Sequence, residues 1–186
     1  HAVDPTTRHE GSSGGVLSGL LIHLLESKQV DFVAHVKAAS DDPLGNELSI
    51  SRTREDVLAG AGSRYAPSAP LAKLAVLLAL PGRFAFVGKP CDVAALRRYE
   101  KLNPGVSDKV PFMLSFMCAG IPSRKGTLAI LDKFGVPPEQ VKSFAYRGDG
   151  WPGKTTAITQ DNQRFETDYS TSCLLYTSDA ADERSS

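Results

Sequence analysis

The 186-residue sequence predicts an α/β fold: a mainly parallel sheet with helices on both faces, plus a small β element near the C-terminus. Three observations predict it. Short apolar runs such as Phe84-Ala85-Phe86-Val87-Gly88 are continuous rather than alternating, as strands buried on both faces are. Stretches of helical spacing separate these runs, the alternation that builds strand–helix–strand units. After Gly148 the texture changes, and residues 154–159 and 163–167 read as a half-exposed hairpin turning at Asp161-Asn162.

Residues 1–10 read as a flexible lead-in, and Gly11-Ser12-Ser13-Gly14-Gly15 as a loop. The pairs Val16-Leu17, Leu20-Leu21 and Leu24-Leu25 predict a helix over residues 16–27. A strand follows over residues 30–36, then an irregular Asp-Pro-Gly segment over 41–46. Thr53 with Asp56 gives a capping box for a short helix that stops at Gly60 or Gly62. A helix over 68–80, ended by Pro81-Gly82, leads into a strand over 83–88. The order then repeats as helix 92–99, strand 110–117, helix 123–134 and strand 141–146. No repeat of solenoid length is visible.

With 41% hydrophobic and 8% aromatic residues, the chain can bury one substantial core, or one core and part of another. Its 21 basic and 21 acidic residues cancel, so it has no electrostatic footprint for nucleic acid or an anionic membrane. The longest apolar stretch, residues 71–80, is interrupted by Lys73 and is too short to span a bilayer. The sequence starts at His1 with no charged n-region and no apolar h-region, so no targeting signal is read and a cytoplasmic location is expected. At the other end, residues 173–183 read as a translated sequencing-library adapter. Residues 172–186 are accordingly expected to be an artefactual tail on a truncated reading frame, and Cys173 to carry no biology.

The other two cysteines, Cys91 and Cys118, sit in similar settings. Each ends an apolar strand-like run and precedes a helix-patterned stretch, which in an open α/β sheet is where ligands bind. Three readings stay open for them: inert buried thiols, redox or nucleophilic thiols at a helix start, or two ligands of an iron–sulfur cluster whose other ligands lie elsewhere. The loop from Gly11 to Ser18 offers backbone N–H groups and a helix N-terminus to a phosphate, although it is neither a Walker A motif nor a clean G-x-G-x-x-G. An ordinary glycine-rich helix start is the alternative. Arg52, Arg54 and Arg64 could serve phosphates, with the Tyr65 ring available for a stacked heterocycle; a solvated helix end is the plain alternative. Residues 147–153, with three glycines and a proline around Trp151, the sole tryptophan, read as a shaped loop that could place the ring or let the backbone approach a ligand; a structural turn is the plain alternative. His23 and His35 show no metal-ligand spacing and read as structural.

Taken in order, these stretches resemble the coenzyme F-420 hydrogenase/dehydrogenase beta-subunit family. The resemblance is carried by Ser12-Ser13-Gly14-Gly15-Val16, Arg52-Thr53-Arg54-Glu55, Gly62-Ser63-Arg64-Tyr65, the run from Val87 through Lys89-Pro90-Cys91 to Leu96, the run from Phe116 through Cys118 to Ser123, and Arg147-Gly148-Asp149-Gly150-Trp151-Pro152-Gly153. It runs from about Gly11 to Tyr169. It implies an iron–sulfur flavoprotein oxidoreductase subunit holding FAD and a 4Fe-4S cluster. Electrons would pass to or from a deazaflavin (coenzyme F-420), a ferredoxin or a redox partner subunit, with a small-molecule redox substrate. The implied cofactor-binding residues are Ser13, Gly14, Gly15, Val16, Arg52, Arg64, Tyr65, Lys89 and Trp151, and the implied metal ligands are Cys91 and Cys118. Gly14 and Gly15 would lie on the pyrophosphate, and Arg52 or Arg64 would balance phosphate charge. The family's division implies an N-terminal module over residues 1–68 and part of a C-terminal module over 69–171. The rival reading is a non-catalytic α/β scaffold or partner-binding subunit without cofactors.

Overall fold

The computed structural model describes residues 1–168, apart from 12, 119, 122 and 149–152. Trp151 and residues 169–186, including the expected tail, lie outside the described residues. The main sheet has the order β2-β1-β3-β4, formed by β1 (Phe32–Ala38), β2 (Asn46–Ser51), β3 (Phe84–Gly88) and β4 (Phe112–Ser115). β1 pairs antiparallel with β2 and parallel with β3, and β3 pairs parallel with β4, so the sheet is mainly parallel.

Because successive strand residues point to opposite faces, each strand feeds two cores. On one face Phe32, Ala34, Phe84 and Phe86 pack with Leu77 of α4 (Leu74–Ala79), Leu96 of α5 (Pro90–Leu102) and Val106 of α6 (Val106–Lys109). The Phe32 and Phe84 rings stack there with centroids 4.9 Å apart. On the other face Val33, Ala85 and Val87 pack with Leu21 and Leu24 of α2 (Val16–Glu26) and Val57 of α3 (Arg54–Ala59). Helices cover both faces, as expected.

A second sheet is antiparallel, in the order β5 (Val141–Ala145), β6 (Lys154–Thr159), β7 (Arg164–Asp168). Ile130 and Leu131 of α7 (Arg124–Phe134) close its core with Phe144, Tyr146 and Ala157. The hairpin turn puts Asn162 at φ 63°, a left-handed conformation that asparagine tolerates better than most residues. The expected module boundary at residue 68 falls between β2 and β3 in the chain, yet the main sheet is continuous across it.

Several elements differ from expectation. The lead-in is helical over α1 (Pro5–Glu10): Asp4 caps it through the Thr7 N–H at 2.8 Å and is itself held by Arg54 at 2.7 Å. β2 was hidden in a half-polar stretch because it is an edge strand with one partly exposed face. The helix expected over 92–99 starts earlier, with Pro90 at its first turn, and runs on to Leu102. The strand expected over 110–117 is confined to Phe112–Ser115, and the helix expected over 68–80 opens as a 3-10 turn over Pro70–Lys73.

The Thr53–Asp56 capping box forms as expected, and Gly60 caps the end of α3. Gly60 also lies against the buried His35 ring, where a Cβ would overlap Cε1; His35 Nε2 and Ser51 Oγ are hydrogen-bonded at 2.6 Å. Burial, with a smaller push from Lys37, holds the imidazole below its ordinary value of 6.5. The unfolded chain therefore takes up this proton at higher pH than the folded one. Stability is expected to be full above about pH 6.5 and to fall as the pH drops below it, until the folded imidazole also titrates. Urea midpoints between pH 5 and 7 check this, since a His35→Asn variant should lose that slope.

Candidate functional site

β3 and β4 end side by side, with Gly88 opposite Ser115. Cys91 lies three residues beyond Gly88, and Cys118 three residues beyond Ser115. Both thiols are free and exposed, so the inert buried reading does not hold. Cys91 stands in the first turn of α5, and Cys118 follows β4 directly after Phe116 and the fully exposed Met117. Two thiols thus leave neighbouring parallel strands at matching offsets.

The glycine-rich loop lies between α1 and α2. α2 precedes β1 and packs with Val33, Ala85 and Val87 on one face of the sheet, and Asp4 and Thr7 at the start of α1, against which the loop lies, are held by Arg54 at the start of α3. Much of the loop's glycine content has a local cause. A Cβ on Gly11 would overlap the Gly15 backbone, and a Cβ on Gly15, which caps α2 at φ 67°, would overlap the Thr7 carbonyl oxygen. Gly14, at φ 86°, meets only the side chain and Cα of His1. Its carbonyl accepts from Ala2 N–H at 2.6 Å. An open cleft of about 630 Å³ lies over Ser13 and Gly14, bounded also by His1, Pro5, Arg8 and His9. Val16 follows at the exposed start of α2.

The other expected site residues are elsewhere or already engaged. Arg52 stacks its guanidinium over Phe32, with Cζ 5.0 Å from the ring centroid, at the amino end of β1. That is the opposite edge of the sheet from the thiols. Arg64 donates to Asn46 Oδ1 at 3.0 Å and to the carbonyls of Phe144, Gly45 and Pro43 at 2.6, 2.8 and 3.2 Å. Burial pushes this guanidinium below its ordinary value, partly offset by Tyr146 and Asp42. It joins the loop before β2 to β5. Tyr65 packs edge-on against Tyr146, with centroids 5.4 Å apart, on the second sheet's core. Lys89 lies at the thiol edge, but its ammonium already binds Ser68 and Asp92.

Sequence reasoning missed Ser68 and Asp92 as neighbours of Cys91. The i,i+3 spacing of Lys89 and Asp92 across a helix start is the signal that could have found the second. Among the described residues, no group of three or more His, Cys, Asp or Glu is placed to hold a metal ion, and no helix is long and apolar enough to cross a membrane.

A mainly parallel sheet covered on both faces, with two exposed thiols just beyond the carboxyl ends of neighbouring strands, defines a protein of the α/β class. Comparison with known proteins gives its family. Models of the coenzyme F420 hydrogenase/dehydrogenase beta subunit match the chain, the N-terminal one over residues 1–75 and the C-terminal one over residues 82–182. The chain belongs to the coenzyme F420 hydrogenase/dehydrogenase beta-subunit family.

Relatives include the coenzyme F420 hydrogenase subunit beta of Methanococcus voltae, 28% identical over 97% of this chain and 68% of its own length. The F420-dependent formate dehydrogenase subunit beta of Methanocaldococcus jannaschii is 29% identical, over 72% of this chain and 35% of its own. The chloroplastic 7-hydroxymethyl chlorophyll a reductase of Oryza sativa is 28% identical, over 73% of this chain and 28% of its own. A chain of the F420-reducing NiFe hydrogenase complex from Methanosarcina barkeri has the same fold, with a TM-score of 0.67 at 21% identity over 92% of this chain. This chain spans 60% of that one.

Proposed function

We propose that the chain is part of an iron–sulfur flavoprotein oxidoreductase subunit that binds FAD and a 4Fe-4S cluster. It would exchange electrons with a deazaflavin such as coenzyme F-420, a ferredoxin or a partner subunit. The observation that carries this reading is the pair of exposed thiols at matching offsets beyond Gly88 and Ser115. Two thiolates following adjacent strand ends would supply two ligands of a four-thiolate set. The remaining ligands would come from residues beyond those described, in keeping with relatives longer than this chain.

Ser13 and Gly14 border the open cleft at the start of α2, where a pyrophosphate would meet the helix N-terminus, although the Gly14 N–H is already donated to the Gly11 carbonyl at 3.1 Å. A flavin supplies the exchange between hydride and single-electron transfer, and an iron–sulfur cluster relays single electrons. The protein's own part is to hold phosphate at the loop and iron at the two thiols. The engagement of Arg64 and Lys89 inside the fold is what favours the rival scaffold reading.

One experiment separates the two: purify the complete protein anaerobically, record its ultraviolet–visible spectrum, and quantify flavin and iron. Flavin bands with a broad cluster absorption support the oxidoreductase; a colourless, folded, metal-free protein supports the scaffold. Gly14→Val should lower flavin retention severalfold by crowding the cleft side of the loop. Unchanged flavin occupancy after gel filtration would remove the loop from the site.

A further inference from the structure

Lys89 and Asp92, on either side of Pro90-Cys91, are engaged in one compact bracket. Asp92 Oδ2 accepts the Lys89 N–H at 3.0 Å and pairs with Lys89 Nζ at 2.7 Å. The same ammonium donates to the Ser68 carbonyl at 3.2 Å and to Ser68 Oγ at 3.0 Å. The two charged side chains are only 13% and 15% exposed, whereas the pairs Arg97–Glu100, Arg124–Asp42 and Lys154–Glu166 each have a partner more than half exposed. A pair so far out of water gives little net stability relative to apolar side chains in its place, but each charge there depends on its partner, which ties the two side chains to one geometry.

The turn is also packed from below. A Cβ on Gly88 would come within 2.8 Å of both Asp92 Cβ and the Phe86 ring, so glycine there lets Asp92 fold back under the turn. Pro90 fixes the backbone at the first helical residue. Cys91 is the exposed group in the middle of this construction. Cys118, in contrast, lies outside any helix or strand after β4, with its Sγ 3.9 Å from the Gly120 carbonyl.

We infer that Lys89 and Asp92, tied to Ser68, are positioning residues that hold Cys91 as a preorganised metal ligand. Lys89 acts through this bracket rather than on a cofactor phosphate. The inference rests on the reading of Cys91 as a cluster ligand. Groups that orient metal ligands in this way typically change metal affinity by about 10–100-fold when removed.

The test uses the complete protein, loaded with iron and sulfide under anaerobic conditions. Iron release to excess chelator is followed beside the melting temperature of the metal-free protein. Lys89→Met and Asp92→Asn each leave a partly buried charge unpaired and should melt below wild type; measured well below their own melting temperatures, both should release iron about tenfold faster or more. Arg97→Met, which breaks an exposed pair on the same helix, should leave release unchanged. Should Lys89→Met fail to fold, Asp92→Asn and the milder Ser68→Ala carry the same comparison. Release within twofold of wild type in folded bracket variants overturns the positioning role and leaves the cluster reading standing. Full iron retention by Cys91→Ser overturns the cluster reading, and this inference with it.

Discussion

Phe86→Ala is expected to lower the unfolding free energy by about 3–5 kcal/mol, the usual cost of emptying a fully buried aromatic site. Phe86 has no exposed surface and packs with Phe32, Phe84, Leu77 and Leu96 in one core. Those neighbours belong to two strands and two helices, so they can collapse only partly into the space. The effect should also reach the site, because the Phe86 ring lies beneath Gly88 at the start of the turn that carries Cys91. Urea denaturation should show a lower midpoint at an unchanged slope, and Phe86→Leu should lose much less. A loss under about 1 kcal/mol would mean that the strand does not sit at the centre of this core.

Gly15→Ala should be the most damaging change in the glycine-rich loop. Gly15 is left-handed at φ 67°, which costs a residue with a side chain about 1–3 kcal/mol. The new Cβ would also overlap the Thr7 carbonyl, a backbone atom in a helix held by the Asp4 cap and by Arg54. Overpacking adds a cost of similar size, about 1–3 kcal/mol. α1 and α2 would have to separate, so denaturation and flavin retention should both suffer. Gly14→Ala meets mainly the His1 side chain and should cost less. Equal losses at the two positions would contradict the packing described for the loop.

The sequence periodicity reveals the main sheet because its central strands are continuously apolar: Phe84 through Val87 are buried on both faces and read as such. It reveals α3 because the Thr53–Asp56 box is local chemistry. It hides β2, whose partly exposed face breaks up the apolar signal, and α1, which has no apolar periodicity and announces itself only through the Asp4-Pro5 start, braced by a distant Arg54.

The site follows the same division. The settings of Cys91 and Cys118 are legible because strand ends and helix starts are local features, and β3 and β4, which precede them, pair side by side. The basic residues are not. Arg52, Arg64 and Lys89 look alike in one dimension, yet one stacks on a ring at the far edge, one joins the two sheets, and one braces a thiol. Only the long-range contacts distinguish a side chain offered to a ligand from one engaged by the fold. Arg64 meets Phe144 eighty positions away in sequence, a partner that no local pattern indicates.

The central claim is that the carboxyl edge of the main sheet brings Cys91 and Cys118 into one metal site. Iron bound per protein, measured anaerobically for the complete wild-type protein and for Cys91→Ser and Cys118→Ser, tests it most directly. Loss of the same iron and the same visible absorption in both variants is the predicted result. Full iron in either variant, with the fold intact, would contradict the claim.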